Sequence, residues 1–263
     1  MTYNVWSRDD IAVYRRMEDI GGCVKKHQPD VIFFQSFSWW KEYHCSPISL
    51  EERKDKSFCI MLSKVPMENH ARWKFTTTAT GKSYLEADII PGLGLGSTTA
   101  MKPVRIATTQ LEPPCPPESV RCMERYTQAE HSVAALSSAE NVVFGGDMSW
   151  DDKMDLPFPL PASWFDAWKV LMPYDRNSWT YDGFLPEFFG EFSGYVSSEM
   201  KVRSDRFLCK LQDYTLNTIE LIEDNGLGVY YWKKYKTYNF EKVQLRRSCH
   251  RGLVLTIVPN KPS

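Results

Sequence analysis

The sequence lacks several features that would place it in a special class of protein. Its seven cysteines include no CxxC pair, and their irregular spacing does not predict a disulfide framework. No apolar run approaches the length of a membrane span, and the opening residues MTYNVWSRDD do not resemble a signal peptide. The net charge is only −1, so no overall basic field attracts a polyanion. These absences predict an intracellular protein in a reducing compartment, without membrane contact.

The hydrophobic pattern predicts one α/β domain rich in strands. The run VIFFQ at residues 31–35 is typical of a strand buried on both faces. Further strands are predicted at residues 3–6, 57–63, 73–77, 84–90, 104–108, 141–144, 206–211, 216–222 and 252–258. Helices are predicted at residues 8–26, 37–43, 120–137 and 164–171, with an irregular loop at 183–202. Since only some strands are joined by helices, we expect a mixed sheet or two packed sheets with helices outside.

Polar side chains follow several of the predicted strands. Asn4 comes directly after Thr2-Tyr3 in the first strand, Ser36 follows the second, Gln110 a middle strand and Asp147 the strand VVFGG, while Cys249-His250 precedes the last strand. Ligand sites in α/β folds gather at strand ends, because the loops there converge over a rigid sheet. These positions are therefore candidate site residues, although periodicity alone does not show that they meet in space.

The order of short motifs along the chain resembles the endonuclease/exonuclease/phosphatase superfamily. The motifs are YNVW, PDVIFFQ, TQLE, VVFGGDMSWDD, SDRFLC and SCHRG. More closely, the chain is similar to the tyrosyl-DNA phosphodiesterase 2 branch, and to its plant members in particular. The resemblance covers nearly the whole chain and implies a single domain over residues 1–263. Because the first strand begins almost at residue 1, we expect that domain to be truncated at its N-terminus.

The resemblance implies both a fold and an activity. The fold is a four-layer sandwich of two mixed β-sheets flanked by helices. Members of the superfamily hydrolyse phosphodiesters with Mg²⁺, and this branch removes the tyrosine that a trapped topoisomerase leaves on a DNA 5′ end. The expected partners are therefore DNA 5′ ends, and the expected cofactor is Mg²⁺. A role in DNA repair implies the nucleus, with the cytoplasm as the alternative, and we expect a monomer.

Three motif positions match the catalytic residues of the family. Asn4 matches the asparagine that orients the catalytic groups. Asp147 matches the aspartate that positions or activates the attacking water, and His250 matches the histidine that contacts the phosphate. Asp205 matches an aspartate for which we expect a structural or supporting role.

Four motif positions depart from the family pattern. Ser36 replaces the glutamate that is the main metal ligand, Gln110 a histidine, Ser149 an asparagine and Cys249 an aspartate. Mg²⁺ prefers hard oxygen ligands, usually including one or two carboxylates, and a thiol suits Zn²⁺ better. Asp147 is then the only matched acid left for the metal. We therefore expect weak Mg²⁺ binding and strongly reduced or absent phosphodiesterase activity. The alternative is a non-catalytic protein that binds DNA ends or another protein.

Substrate contacts are predicted on two stretches. Tyr181, in the stretch WTYD, lies where the family contacts DNA and is predicted to stack on a base, or else to pack in the core. Arg247 and Arg251, together with Arg246, flank His250 and predict a phosphate-facing cluster, or else a solvated loop.

The sequence leaves open whether another acid replaces the lost metal ligands. Glu112, Asp151 and Asp152 are the candidates, and loop capping is the alternative role for the last two. A zinc site at Cys249 and His250 is disfavoured, because the sequence indicates no further ligands for it. A nucleophilic thiol at Cys249 is disfavoured, because adjacent residues of a strand point to opposite faces.

Overall fold

The computed structural model describes most of the chain, and three helices lie in that part. The described residues are 1–5, 10–35, 43–47, 58–92, 101–114, 120–175, 178–182, 201–223, 225–234 and 240–261. The helices are α1 (Val13–His27), α2 (Cys122–Leu136) and α3 (Ala167–Leu171).

The described strands form two large sheets and two small ribbons. The first sheet contains β1 (Thr2–Asn4), β2 (Val31–Gln35), β3 (His44–Cys45), β4 (Cys59–Ser63), β13 (Tyr214–Leu221) and β16 (Leu253–Pro259). The second contains β5 (Glu68–Lys74), β6 (Ser83–Ile89), β7 (Val104–Gln110), β8 (Val142–Asp147), β9 (Phe165–Asp166) and β12 (Asp205–Lys210). The ribbons pair β10 (Tyr181–Asp182) with β11 (Lys201–Val202), and β14 (Tyr230–Lys234) with β15 (Phe240–Gln244).

Both large sheets are mixed. The strand order is β13-β16-β1-β2-β4-β3 in the first and β5-β6-β7-β8-β12-β9 in the second. The pairs β1–β2 and β7–β8 are parallel, and the other neighbouring pairs are antiparallel. Both parallel pairs are joined through a helix, α1 or α2, as a parallel connection requires.

Three apolar clusters define the layers. Phe33 and Met61 of the first sheet pack against Leu85, Ile106 and Phe207 of the second. On the outer face of the first sheet, Ile20 and Val24 of α1 join the sheet residues Tyr3, Ile32 and Ile60. On the outer face of the second, Ala129, Val133 and Leu136 of α2 join Val142, Phe144 and Leu208. The layers are thus helix, sheet, sheet and helix, and the predicted sandwich is confirmed.

The registers of the parallel pairs bring polar strand ends together. Asn4 at the end of β1 lies opposite Gln35, and Gln110 at the end of β7 lies opposite Asp147. The first residue of β12, Asp205, pairs with Asp147 from the other side.

Two glycines allow β8 to deliver Asp147 to this edge. A Cβ atom on Gly146 would lie 2.2 Å from the backbone oxygen of Thr109, and one on Gly145 would lie 2.6 Å from the ring of Phe207. Any larger residue would push β8 away from β7 or from the core between the sheets, so these positions require glycine.

Several predicted boundaries differ from the structure. The first helix begins at Val13 rather than at residue 8, and the strand predicted at 73–77 is β5, which ends at Lys74. The helix predicted at 164–171 begins only at Ala167, because Phe165–Asp166 forms a strand. The helix predicted at 37–43 and most of the loop at 183–202 lie outside the described residues. The two ribbons and β3 were not predicted, because their strands are short or lack clear alternation.

None of the helices in the described part of the chain combines the length and the apolar character that crossing a membrane requires.

Candidate active site

Asp147 is the centre of a buried polar cluster at the edge shared by the two sheets. Its Oδ2 atom accepts from Asn4 Nδ2 at 2.7 Å and from Gln110 Nε2 at 3.2 Å. Its Oδ1 atom accepts from the backbone N–H of Ser149 at 2.8 Å and from the hydroxyl of Ser204. The carboxylate is 3% exposed and receives four hydrogen bonds, one for each of its lone pairs. This saturation fixes the carboxylate and keeps it ionised.

His250 completes the cluster between two carboxylates. Its Nδ1 atom lies 2.8 Å from Oδ2 of Asp205, and its Nε2 atom lies 3.9 Å from Oδ2 of Asp147. Nε2 is also 3.4 Å from the amide nitrogen of Asn4. The backbone of His250 is held by Ser248, whose hydroxyl accepts from the N–H of His250 and donates to the carbonyl of Asn4. These two hydrogen bonds connect the segment before β16 to the end of β1.

The charges within the cluster shift its pKa values. Burial alone would raise the pKa of Asp147, but His250 and the hydrogen bonds from Ser204, Ser149 and Gln110 together hold it below its usual range. Burial opposes protonation of His250, yet the facing carboxylates, with Asp205 first, raise its pKa well above the ordinary value. Burial raises the pKa of Asp205, with His250 acting against the rise. The two carboxylates therefore favour the protonated form of the imidazole.

Asp205 plays a larger part than the sequence indicated. The prediction left Asp147 as the only matched acid, whereas the structure brings Asp205 to the same histidine. Its backbone N–H is fixed by the hydroxyl of Thr180 at 2.8 Å. The only sequence signal was the motif SDRFLC, in which Ser204 and Asp205 are adjacent.

Three of the four altered positions can be placed in the structure. Gln110 donates to Asp147, and its Oε1 atom accepts from Lys82 Nζ at 2.7 Å. Ser149 contributes its backbone N–H to Asp147, and its hydroxyl turns away to the carbonyl of Leu111. Cys249 is half-buried beside His250. Ser36 lies outside the described residues.

Lys82 is a site residue that the sequence analysis missed. It is 7% exposed and lies just before β6, with no polar motif around it. Its ammonium group orients the amide of Gln110 so that the nitrogen faces Asp147. The positive charge of Lys82 thus lies beside Gln110, at the position where the family has a histidine.

The three predicted substrate residues, Tyr181, Arg247 and Arg251, have different surroundings in the structure. The ring of Tyr181 lies on His250, with centroids 4.7 Å apart, and is half-buried. Arg251 lies over the ring of Trp179, with its guanidinium carbon 4.9 Å from the centroid. Arg247 instead forms an ion pair with Asp19 of α1 and also donates to the carbonyl of Glu223. Tyr181 and Arg251 therefore lie beside the cluster, whereas the guanidinium of Arg247 is held against α1.

The other candidate acids are occupied elsewhere. Glu112 is fully buried and pairs with Arg121 at 2.7 Å. Asp151 accepts from the N–H of Lys153, which is the loop-capping role. Asp152 forms an ion pair with the buried Arg206 at 2.9 Å, so its role is not capping. None of these three contacts Asp147 or His250 through a recorded hydrogen bond in the described part of the chain.

The comparisons with known proteins bear on the fold of the chain. No protein-family model matches the chain, and no curated protein matches it. Solved structures match it over nearly its whole length. TDP2 from D. rerio, complexed with single-strand DNA product, has a TM-score of 0.70 and 19% identity, covering 98% of this chain and 97% of that one. The chain has the endonuclease/exonuclease/phosphatase fold.

Two further structures support the same assignment. TDP2 from C. elegans has a TM-score of 0.68 and 17% identity, covering 97% of this chain and 73% of that one. An endonuclease/exonuclease/phosphatase from Bacteroides vulgatus has a TM-score of 0.62 and 11% identity, covering 98% and 97%. At these identities the likeness establishes the fold, and the predicted resemblance to the superfamily is confirmed at that level.

The endonuclease/exonuclease/phosphatase fold implies a metal, and the described residues fit magnesium poorly. Asp147, Asp205 and His250 each offer a ligand atom, and these atoms lie within 4.8 Å of one another. However, the lone pairs of Asp147 are already used by four donors. The Oδ1 atom of Asp205, which is buried and has no hydrogen-bond partner among the described atoms, is the one open carboxylate position. A single open oxygen is fewer than Mg²⁺ needs from a protein.

Proposed function

We propose that this chain acts on DNA 5′ ends in the manner of a 5′-tyrosyl-DNA phosphodiesterase, with strongly reduced or no turnover. The fold supports this proposal, since it is shared with TDP2 from D. rerio, which was crystallised with single-strand DNA product. The observation that carries the proposal is the cluster of Asn4, Asp147, His250 and Asp205 at the common edge of both sheets. These residues come from four separate strands or strand ends and nevertheless converge on one point.

The cluster can assist hydrolysis of a phosphodiester in two ways. A protonated His250 supplies positive charge beside the phosphoryl oxygens, where negative charge increases during attack. Asp147 holds the side chains of Asn4 and Gln110 in fixed positions through its hydrogen bonds, so that the site is pre-organised for the reaction. The reaction adds water across the bond between phosphorus and the tyrosine oxygen, and leaves a 5′-phosphate and the free phenol.

Low turnover follows from what the cluster lacks. Loss of one electrostatic stabiliser typically lowers the rate by about 10²–10³-fold. Gln110 and Cys249 stand where the family has an imidazole and a carboxylate, and the open carboxylate oxygen of the described cluster is Oδ1 of Asp205 alone. The same observation favours the second candidate function, a non-catalytic protein that holds DNA ends or another protein in this groove. A nuclear location follows only from the proposed role in repair and remains a prediction.

The test is cleavage of a single-stranded oligonucleotide that carries a 5′-phosphotyrosine, in the presence of Mg²⁺. Three proteins are compared, namely the unmodified chain, Asp147→Ala and the double variant Ser36→Glu/Cys249→Asp. Slow cleavage that disappears in Asp147→Ala supports the enzyme. Cleavage by the double variant alone supports the non-catalytic binder, because the groove then accepts the substrate once carboxylates are restored. If no protein cleaves or binds the oligonucleotide, the proposed function is wrong.

A further inference from the structure

The ribbon of β14 and β15 presents an aromatic face to solvent. Directly opposite residues of an antiparallel pair lie on the same face, and the pairs Tyr230–Gln244, Trp232–Lys242 and Lys234–Phe240 alternate with the pairs of the other face. Tyr230, Trp232 and Phe240 are 52%, 67% and 59% exposed. On the opposite face Tyr231 and Val243 are half-buried, so that face lies toward the body of the protein. We call the outer face, formed by Tyr230, Trp232, Phe240 and Lys242, the aromatic ribbon.

No other strand covers this face in the part of the chain that the structure describes. The ribbon is a separate two-stranded sheet, and neither strand joins one of the large sheets. Its base is anchored by the buried Leu227 and Leu245, whose backbones pair at 2.8 Å. Scattered exposed apolar residues are ordinary, whereas three large rings on one face of one small element mark an interaction surface.

The charge of the ribbon favours a polyanion as its partner. The two strands, YYWKK and FEKVQ, contain three lysines and one glutamate. Lys242 lies over the ring of Tyr230, with Nζ 4.8 Å from the centroid. Rings interleaved with lysines are what a single-stranded nucleic acid needs, because its bases stack on the rings and its phosphates pair with the cations.

The position of the ribbon connects it to the candidate active site. Gln244, the last residue of β15, precedes His250 by six residues, so the two are at most about 20 Å apart along the chain. At roughly 3.4 Å per stacked nucleotide, about six nucleotides cover that distance. A strand whose 5′ end lies at His250 can therefore reach the ribbon with its next few bases.

We propose that the aromatic ribbon binds single-stranded DNA downstream of the 5′ end held at the cluster, with bases stacked on Trp232 and its neighbouring rings. This inference extends the proposed function, because it concerns the rest of the same strand. A two-stranded ribbon is only marginally stable on its own, and exposed rings do not add to its stability. Stacking with bases gives these exposed rings a function. Stacking on one ring typically strengthens binding by about 5–150-fold.

The experiment measures binding of fluorescent 5′-phosphorylated oligonucleotides by anisotropy, with lengths of three and fifteen nucleotides. The unmodified chain is compared with Trp232→Ala, Trp232→Phe and Trp73→Ala. Trp73 is the matched control, because it is 51% exposed but lies on β5, an edge strand of the second sheet. Thermal unfolding of each variant checks that the fold is kept.

The expected result has three parts. Trp232→Ala weakens binding of the fifteen-nucleotide strand at least about fivefold and weakens binding of the three-nucleotide strand less, since the short strand offers fewer bases to the ribbon. Trp232→Phe keeps most of the affinity, and Trp73→Ala keeps all of it. Lys242→Gln lowers the slope of log affinity against log salt concentration by about 0.7, the value for one phosphate contact on a single strand.

Different failures separate this inference from the proposed function. If the chain binds the long strand and Trp232→Ala binds it equally well, the ribbon does not contact DNA, while the proposed function stands. If neither strand binds at all, both proposals are wrong. Anionic lipid vesicles form a further arm of the experiment. If Trp232→Ala loses binding to vesicles but not to DNA, the ribbon is a membrane-binding surface and the inference is overturned.

Discussion

Replacing Asp205 with asparagine tests whether two carboxylates keep His250 charged. Asparagine has almost the same shape and retains an oxygen that can accept from Nδ1 of His250, which now lies 2.8 Å from Oδ2 of Asp205. The substitution therefore removes the negative charge and leaves the hydrogen bond. The other carboxylate, that of Asp147, remains 3.9 Å from Nε2.

The expected size of the effect follows from these distances. An opposite charge this close shifts the pKa of a facing group by about 1–3 units. We therefore expect Asp205→Asn to lower the pKa of His250 by about 1–3 units, which corresponds to about 1.4–4 kcal/mol between its two protonation states. Asp147→Asn should produce a smaller fall, because its carboxylate is farther from the ring and makes no recorded hydrogen bond to it.

The assay is an NMR titration of the imidazole C–H signals. The chain has five histidines, and the signal that disappears in His250→Gln identifies the one of interest. In the unmodified protein this signal should titrate well above pH 6.5, and in Asp205→Asn it should move back toward that value. A His250 that titrates near 6.5 in the unmodified protein, or that titrates equally in both proteins, would refute the reasoning.

The same shift determines the sign of a pH effect on stability. The pKa of His250 is raised in the folded state, so its stabilising contribution is complete below the unfolded value of about 6.5. It is lost as the pH rises through the folded pKa. Urea unfolding of the unmodified protein and of Asp205→Asn, compared at each pH, should show a loss of stability that begins near pH 6.5 in both proteins, but that is smaller and ends at lower pH in the variant.

Three further substitutions test other parts of the structure. Lys82→Met should weaken binding of a 5′-phosphorylated oligonucleotide several-fold by anisotropy, because it removes a buried cation from the site, whereas the exposed Lys74→Met should not. Arg125→Met should lower the free energy of unfolding in urea by about 3–5 kcal/mol, since it leaves the buried carboxylate of Asp155 without its ion pair; a loss below 1 kcal/mol would contradict this. Gly146→Ala should yield little folded protein by circular dichroism, because its Cβ would overlap a backbone oxygen of the adjacent strand, and a variant as stable as the parent would contradict the packing.

The elements that the sequence predicted well are those whose signal is local. The strand VIFFQ, residues 31–35, was predicted with its observed bounds, since an unbroken apolar run needs no distant partner to be recognised. The strand before Asp147 was also predicted, although β8 continues through both glycines to Asp147 itself. The ribbon strand YYWKK was missed, because its first three residues are all aromatic. Exposed and half-buried side chains alternate along it, but the residue types do not.

The candidate site was predicted only in part, because some of its contacts depend on residues that are distant in the sequence. Asn4, Asp147 and His250 were recognised from motifs, and the structure brings them into contact. Lys82 gave no signal, because its role depends on the side chain of Gln110 on a neighbouring strand.

Residue types and their order along the chain were enough to predict the buried strands, the polar residues at their ends and the replacement of family carboxylates. These are properties of residue type and short-range order, and they follow from hydrophobic periodicity and motif spacing. The folded structure was needed to show that Asp205 contacts His250, although 45 residues separate them, and that Ser204 donates to Asp147 across 57 residues. It also decided that Arg247 turns to α1 and that the aromatic ribbon faces solvent. Hydrogen bonds and charge interactions act over a few ångströms in space, and the pairing of strands within each sheet, together with the packing of the two sheets, determines which distant residues come that close.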